Sequence, residues 1–360
     1  MSGSLDVGVE NGVKFSMDLI TGHSKVTWQP KMTVDTTAPS YWLNWRFFIC
    51  AFWITSFIVV ASYLIWKHEG SNQSKSNREE AQQETKVSLY DDEVWKPCLK
   101  TIHPAWLLGF RVIAFFLLIA LLIANAAVDG GAIFYYYTQW TFLLVVIYFG
   151  LGSVLSIHGC YQYCNKVGGY RLGYDTEQGS NAVPTHEENA NGHDTTKNIN
   201  PPGQNYARKP ADVWGHVFQV IFQMAAGAVL LTDFVFWLLI LPFLAIKDYD
   251  LSFLLIGVHS VNAIFLFGDT ALNCLRFQWF RIAYFILWTA VFVIFQWIVH
   301  GCISLWWPYP FLDLSSRYAP VWYLAVALMH IPCYTLFALI IRLKHFLWFK
   351  YFPQSYQCSR

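Results

Sequence analysis

Long apolar runs decide the fold class of this chain before anything else is read. Residues 47–66 run FFICAFWITSFIVVASYLIW, and residues 107–128 run LLGFRVIAFFLLIALLIANAAV. A helix needs roughly 20 mostly apolar residues to cross a bilayer. Seven stretches meet that need: 46–66, 107–128, 134–157, 216–244, 252–271, 281–304 and 321–346. Each is expected to be helical, because lipid offers no partner to an open backbone N–H or C=O. The expected fold is all-α and integral to the membrane, a bundle of about seven transmembrane helices with two long polar loops.

Composition agrees with this reading. Only 13 % of residues are charged, against roughly 25 % in soluble domains. Lys and Arg number 24 and Asp and Glu 23, a net charge of +1. That balance excludes a nucleic-acid binder held by a basic surface and a disordered polyelectrolyte. Residues 1–40 hold no basic segment followed by an apolar one, as a secretory leader would.

The rest of the chain divides around the spans. A polar tail covers 1–45, a polar loop 67–106, a second loop 158–215 and a C-terminal tail 347–360. The first loop is rich in Ser, Asn, Gln, Glu and Lys. The second holds Gly-Gly, Pro-Pro and a run of Asn, Asp, Thr and His, and is expected to be disordered. Asp129-Gly130-Gly131-Ala132 alone joins the second and third spans, so these should be antiparallel neighbours. The fifth span is the shortest and carries His259 and Asn262.

Basic residues favour the cytosolic side of a membrane. Seven crossings put the termini on opposite sides. The N-terminal side holds Lys14, Lys25, Lys31, Arg46, Lys247 and Arg317, and the other side holds the remaining 18 basic residues. The N-terminus is therefore expected to be lumenal or extracellular and the C-terminus cytosolic. Endoplasmic reticulum and plasma membrane both fit. The sequon Asn72-Gln73-Ser74 falls on the expected cytosolic side and should stay unglycosylated.

Familiar soluble-enzyme motifs are absent. There is no G-x-x-x-x-G-K-[ST], no G-x-S-x-G and no H-E-x-x-H. No cofactor or metal is expected. His186 and His193 lie in a polar loop and read as solvated. The eight cysteines are scattered without a CxxC pair, and most read as small buried residues rather than zinc ligands. Cys160 and Cys164, one turn apart near a membrane surface, are candidates for palmitoylation.

Polar groups inside spans carry the functional signal, since they are costly there. At about 1.5 Å per residue, Thr138 lies one turn into the third span from the N-terminal side. His259 lies about two turns in, and Asp233 about three turns from the same surface. Asn125, Asn262, His300 and His330 fall in the same leaflet. Arg111 and Asp269 lie near the opposite surface, and Arg276 or Arg281 is the expected partner of Asp269. A neutral imidazole can act as a general base. A threonine hydroxyl needs such a base to become a nucleophile. Ser260 and Asn262 flank His259 and can orient it or donate to an oxyanion, and Asp233 is the better candidate to hold an imidazolium. The same groups also fit ordinary interhelical hydrogen bonding.

Four segments resemble a known family. Gly257-Val258-His259-Ser260-Val261-Asn262 opens an apolar helix with Asp269 ten residues past the His. YFILWTAVFVIFQWIVHG follows, and then Trp306-Trp307-Pro308-Tyr309-Pro310-Phe311-Leu312-Asp313, a W-x-x-Y-P-F-L-[DE] stretch between two spans. Tyr136-Tyr137-Thr138-Gln139-Trp140-Thr141-Phe142 opens the third span with an aromatic-x-Thr pattern. Together they resemble the androgen-induced / rolling stone family of multi-pass membrane proteins, most closely its plant-type branch. The androgen-induced branch hydrolyses fatty acid esters of hydroxy fatty acids with an intramembrane Thr and His. By position the resemblance implies Thr138 as nucleophile and His259 as base. Asn262, Asp233 and Ser260 are the supporting residues of that expectation. Thr141 is a second candidate for the Thr position. The H-S-V-N form here differs from the two histidines of the hydrolase branch and matches the rolling stone branch, tied to myoblast fusion. A register shift of three residues would put Asn262 in the catalytic place. Membrane lipids and a fatty-acyl ester are thus the expected partners of a hydrolase, with nucleic acid excluded and protein partners left open. A non-enzymatic scaffold, adhesion or fusion protein is the alternative, and a transporter using Asp233 and His259 as a proton relay a third.

Overall fold

The structure, a computed structural model, describes residues 34–70, 89–178, 209–245 and 253–358. Among them there is no β-strand, only isolated bridges. The sequon at Asn72 and the loop residues His186 and His193 lie outside the described residues.

Among the described residues nine α-helices follow in chain order. Short α1 (Pro39–Trp42) precedes α2 (Trp45–Ile65), and short α3 (Asp91–Trp95) precedes α4 (Pro104–Asp129). Then come α5 (Tyr137–Gln178), α6 (Val213–Phe234), α7 (Phe253–Leu272), α8 (Ile282–Cys302) and α9 (Ala319–Tyr351). Among the described residues six helical segments are long and apolar enough to cross a membrane, those built on α2, α4, α5, α6, α8 and α9. The seventh, α7, is shorter in its apolar part, Ile256–Leu272. The chain is therefore a multi-pass, all-α membrane bundle.

Local chemistry starts these helices. The Asn44 side chain accepts from Phe47 N at 3.1 Å to cap α2. Asp212 Oδ1 accepts from Gly215 N at 2.9 Å to cap α6. Pro104 stands in the first turn of α4, where a missing N–H costs nothing. Gly130 ends α4 at φ +68°, a conformation that favours glycine. The chain then passes through one 3-10 turn, Gly130–Tyr135, and returns as α5, which packs along α4 as the short link required.

Helix α6 sits at the centre and touches α5, α7, α8 and α9. Its sequence explains why. Ala225, Ala226, Gly227 and Ala228 make one whole turn of the helix small on all sides, and all four are buried. Small residues let helix backbones approach closely in lipid. A Cβ at Gly227 would lie 2.5 Å from the ring of Phe285 on α8. Helix α2 is the least buried of the membrane-length helices and packs against α8 and α9.

Two segments read as loop in the sequence have structure. Helix α5 continues beyond residue 157 to Gln178, because the polar residues there do not break an established helix. Within 67–106, Leu89, Val94, Trp95, Cys98 and Leu99 are buried. Helix α3 packs against α5, and Trp95 fills the space that a side chain at Gly159 would need.

Candidate functional site

Buried polar groups occupy both ends of the bundle, and their local chemistry differs. At the C-terminal-side end Arg111 is fully buried in α4. Its Nε donates to Asp269 Oδ1 of α7 at 2.7 Å, and its Nη1 donates to Val94 O at 2.9 Å and Ser156 Oγ at 2.8 Å. Asn273 Nδ2 donates to Asp269 Oδ2 at 2.8 Å, and the Tyr148 hydroxyl donates to the same oxygen. The expected partners of Asp269, Arg276 and Arg281, are corrected. Arg276 pairs with Glu93 at 2.8 Å and Arg281 with Glu69 at 3.1 Å. Helix packing brings Arg111 to Asp269 across 158 residues of chain, and no local spacing signals that.

The N-terminal-side end is closed by the 306–313 segment. Tyr41, just before α2, donates from its hydroxyl to Asp313 Oδ1 at 2.7 Å and accepts from Trp307 Nε1 at 2.9 Å and Leu314 N at 3.0 Å. Burial and the Asp313 carboxylate push the Tyr41 hydroxyl's pKa above its ordinary value. The Tyr309 hydroxyl accepts from Tyr137 N at 3.0 Å, so this segment pins the first turn of α5, next to Thr138. The 136–142 and 306–313 segments thus meet in space.

Three histidines lie beneath this segment, and two are fully engaged. His300 Nδ1 lies 2.7 Å from Gln296 O and its Nε2 3.3 Å from Trp306 O. His330 Nδ1 lies 3.0 Å from Val326 O and its Nε2 2.8 Å from Thr289 Oγ1, which also meets the Tyr137 hydroxyl at 2.8 Å. His259 differs. It is 5 % exposed, and its Nδ1 is buried without a hydrogen-bond partner. Asp233 Oδ1 of α6 lies 3.9 Å away and is likewise without a partner. Asn262, one turn further along α7, is fully buried; its Oδ1 accepts from Ala263 N at 2.7 Å while its Nδ2 has no partner. Three open polar atoms from two adjacent helices therefore share one region.

Local backbone geometry builds this pair. After Phe234 the helix widens to a π-helical run, Val235–Ala245, containing Pro242. Proline removes a backbone donor, and wide turns are frequent at functional sites. Phe236, in that run, stacks on the His259 ring at 3.7 Å and 7°. The imidazole is thereby held flat, with an edge toward Asp233.

The sequence-derived residues are placed as follows. Asp233, His259 and Asn262 gather where α6 meets α7. Ser260 is half-buried. Thr138 is 8 % exposed at the start of α5, and no hydrogen bond joins it to His259 among the described residues. Thr141 is fully buried and accepts from Thr232 Oγ1 at 3.2 Å, directly beside Asp233. Sequence reasoning singled out Cys160 and Cys164, and Cys164 is exposed. It gave no sign that Cys98, Cys274 and Cys358 meet, since these come from three distant segments.

The fold and these buried groups define a multi-pass membrane protein with an unpaired acid–imidazole couple inside its N-terminal-side half. No family model, no characterised protein and no solved structure matched the chain.

Proposed function

We propose that this protein is an intramembrane lipid ester hydrolase in which Thr138 is the nucleophile and His259 the base. The carrying observation is the pair of open atoms, His259 Nδ1 and Asp233 Oδ1, 3.9 Å apart and buried. A buried polar atom without a partner costs free energy, and such a cost persists where a ligand or reacting group uses the atom. The Thr138 oxygen bonds to the acyl carbon, and His259 takes the hydroxyl proton and gives it to the leaving alcohol. Water then releases the fatty acid and restores Thr138. Asp233 faces the imidazolium, and Asn262 Nδ2 is the donor for the carbonyl oxygen. The likeness of the 136–142, 257–262 and 306–313 segments to the androgen-induced / rolling stone family supports a fatty-acyl ester as substrate, drawn from surrounding lipid. The basic-residue bias supports an extracellular or lumenal N-terminus and a cytosolic C-terminus.

Purified protein in lipid nanodiscs, offered a panel of branched fatty acid esters, tests this reading. Turnover falling by roughly 10²–10⁴-fold in Thr138→Ala and His259→Ala, but kept in Thr141→Ala, is expected. A folded wild type without turnover on any ester overturns it. The second reading, a non-enzymatic scaffold, adhesion or fusion protein, would then stand. It is favoured by the polar contacts that are complete, such as Thr141–Thr232 and Thr289–His330.

A further inference from the structure

Cys98, Cys274 and Cys358 come from the segment before α4, the end of α7 and the C-terminal tail. All three are buried, and their sulfur atoms lie within 4.8 Å of one another. Cys98 Sγ is 3.0 Å from Cys358 Sγ, and Cys274 and Cys358 are joined as a disulfide in this structure. The cluster is not an accident of mobile ends. Cys98 N donates to Leu272 O at 2.7 Å, Gln357 N to Cys98 O at 3.0 Å, and Lys100 N to Ser355 O at 2.7 Å. These bonds stitch the three segments into one small patch, with Trp348 and Tyr356 packed over it. A cation stands close by: Lys344 is buried, and its Nζ donates to Asn273 O at 2.9 Å. Burial raises the Cys98 thiol's pKa, and the Lys344 ammonium opposes that rise.

We propose that this cluster, in its reduced form, is a three-thiolate site for a soft d10 metal ion, Zn²⁺ or Cu⁺. Thiolates select these ions. A bond of about 2.3 Å from metal to sulfur places tetrahedral sulfur atoms about 3.8 Å apart, inside the spread seen here. Two electrons and two protons from a cellular dithiol open the Cys274–Cys358 disulfide and leave three thiols. One Zn²⁺ then displaces three protons, giving a site of charge −1 that Lys344 balances. With the C-terminus on the cytosolic side, as proposed above, glutathione and thioredoxin keep these cysteines reduced. The ion would clamp the C-terminal tail to the end of α7, next to Asn273 and hence to the Arg111–Asp269 seam.

The full-length protein, purified in nanodiscs from cells supplemented with zinc or with copper and handled anaerobically, provides the test. Elemental analysis should find about one zinc or copper ion per chain. The two supplements distinguish the ions, with cuprous thiolate luminescence marking copper. Co²⁺ exchanged into the zinc form should give a sulfur-to-cobalt charge-transfer band. Cys98→Ser, which keeps the Cys274–Cys358 pair, should lose the metal and the band. Cys50→Ser, a buried cysteine outside the cluster, should keep both. Wild type that is folded but metal-free in both arms overturns the proposal. So does metal retained in Cys98→Ser, and so does recovery of the Cys274–Cys358 disulfide from cells alkylated before lysis.

Discussion

The two ends of the bundle handle buried charge in opposite ways. At the C-terminal-side end, Arg111 and Asp269 are wholly buried and both oxygens of Asp269 accept hydrogen bonds, Oδ1 from Arg111 and Oδ2 from Arg111, Tyr148 and Asn273. At the other end, Asp233 and His259 face each other at 3.9 Å with open atoms. The first arrangement fixes helices. A charge in low dielectric must be matched almost completely to be tolerated. The second leaves part of the cost unmatched, which stability alone does not require. A seam that is complete has nothing left to offer a ligand, while a pair that is incomplete does.

This contrast can be broken by mutation, and the largest effect belongs to the closed seam. Arg111→Met strands the Asp269 carboxylate and should cost about 3–5 kcal/mol, seen as loss of monodisperse protein and a lower midpoint of thermal unfolding in detergent. Adding Asp269→Leu to that variant should restore part of the loss. If Arg111→Met were harmless, the seam would not be a fastener.

The next effect lies between the two ends. Gly227→Ala pushes a methyl group into Phe285 on α8 and should cost about 1–3 kcal/mol. Phe285→Leu in the same chain should relieve it. Because α6 carries both Asp233 and the packing surface, the single variant should also lower any turnover.

A smaller loss is expected at the N-terminal-side segment. Tyr41→Phe removes one hydroxyl that serves Asp313, Trp307 and Leu314. It should cost about 1–3 kcal/mol, the penalty for buried partners left unsatisfied. Thermal unfolding reads it directly.

The smallest stability effect should come from the open pair. His259→Gln and Asp233→Asn remove no complete hydrogen bond between the two residues and should stay within about 1 kcal/mol of wild type. Turnover should nevertheless collapse. If either variant unfolded the bundle instead, the pair would be a fastener like the seam, and the scaffold reading would gain.

How much of this was legible in the sequence differs between features. The spans were legible, because lipid imposes length and apolarity on every helix that crosses it. The tight Asp129–Ala132 link likewise announced the α4–α5 neighbours. The expectation that Asp233, His259 and Asn262 share one leaflet follows from rise per residue. Their approach does not, because depth says nothing about which faces of two helices meet. The pairing of Asp269 is illegible for the same reason: Arg276 and Arg281 are nearer in sequence, but Arg111 is the one within reach. The structure around Leu89–Leu99 was hidden by its polar flanks, since a single Trp95 packing into the space at Gly159 leaves no periodic signal.

The sequence by itself determined an all-α multi-pass membrane protein and the position of each polar residue along its helix. Those follow from local rules, one helix at a time, in an environment that leaves the backbone no choice. Tertiary structure alone decided which buried groups are matched and which are open, that Phe236 lies flat on His259, and that Cys98, Cys274 and Cys358 meet. Such pairings depend on helix rotation and on packing between segments that lie apart in the chain, and those are set by the fit of whole surfaces rather than by any segment's own pattern.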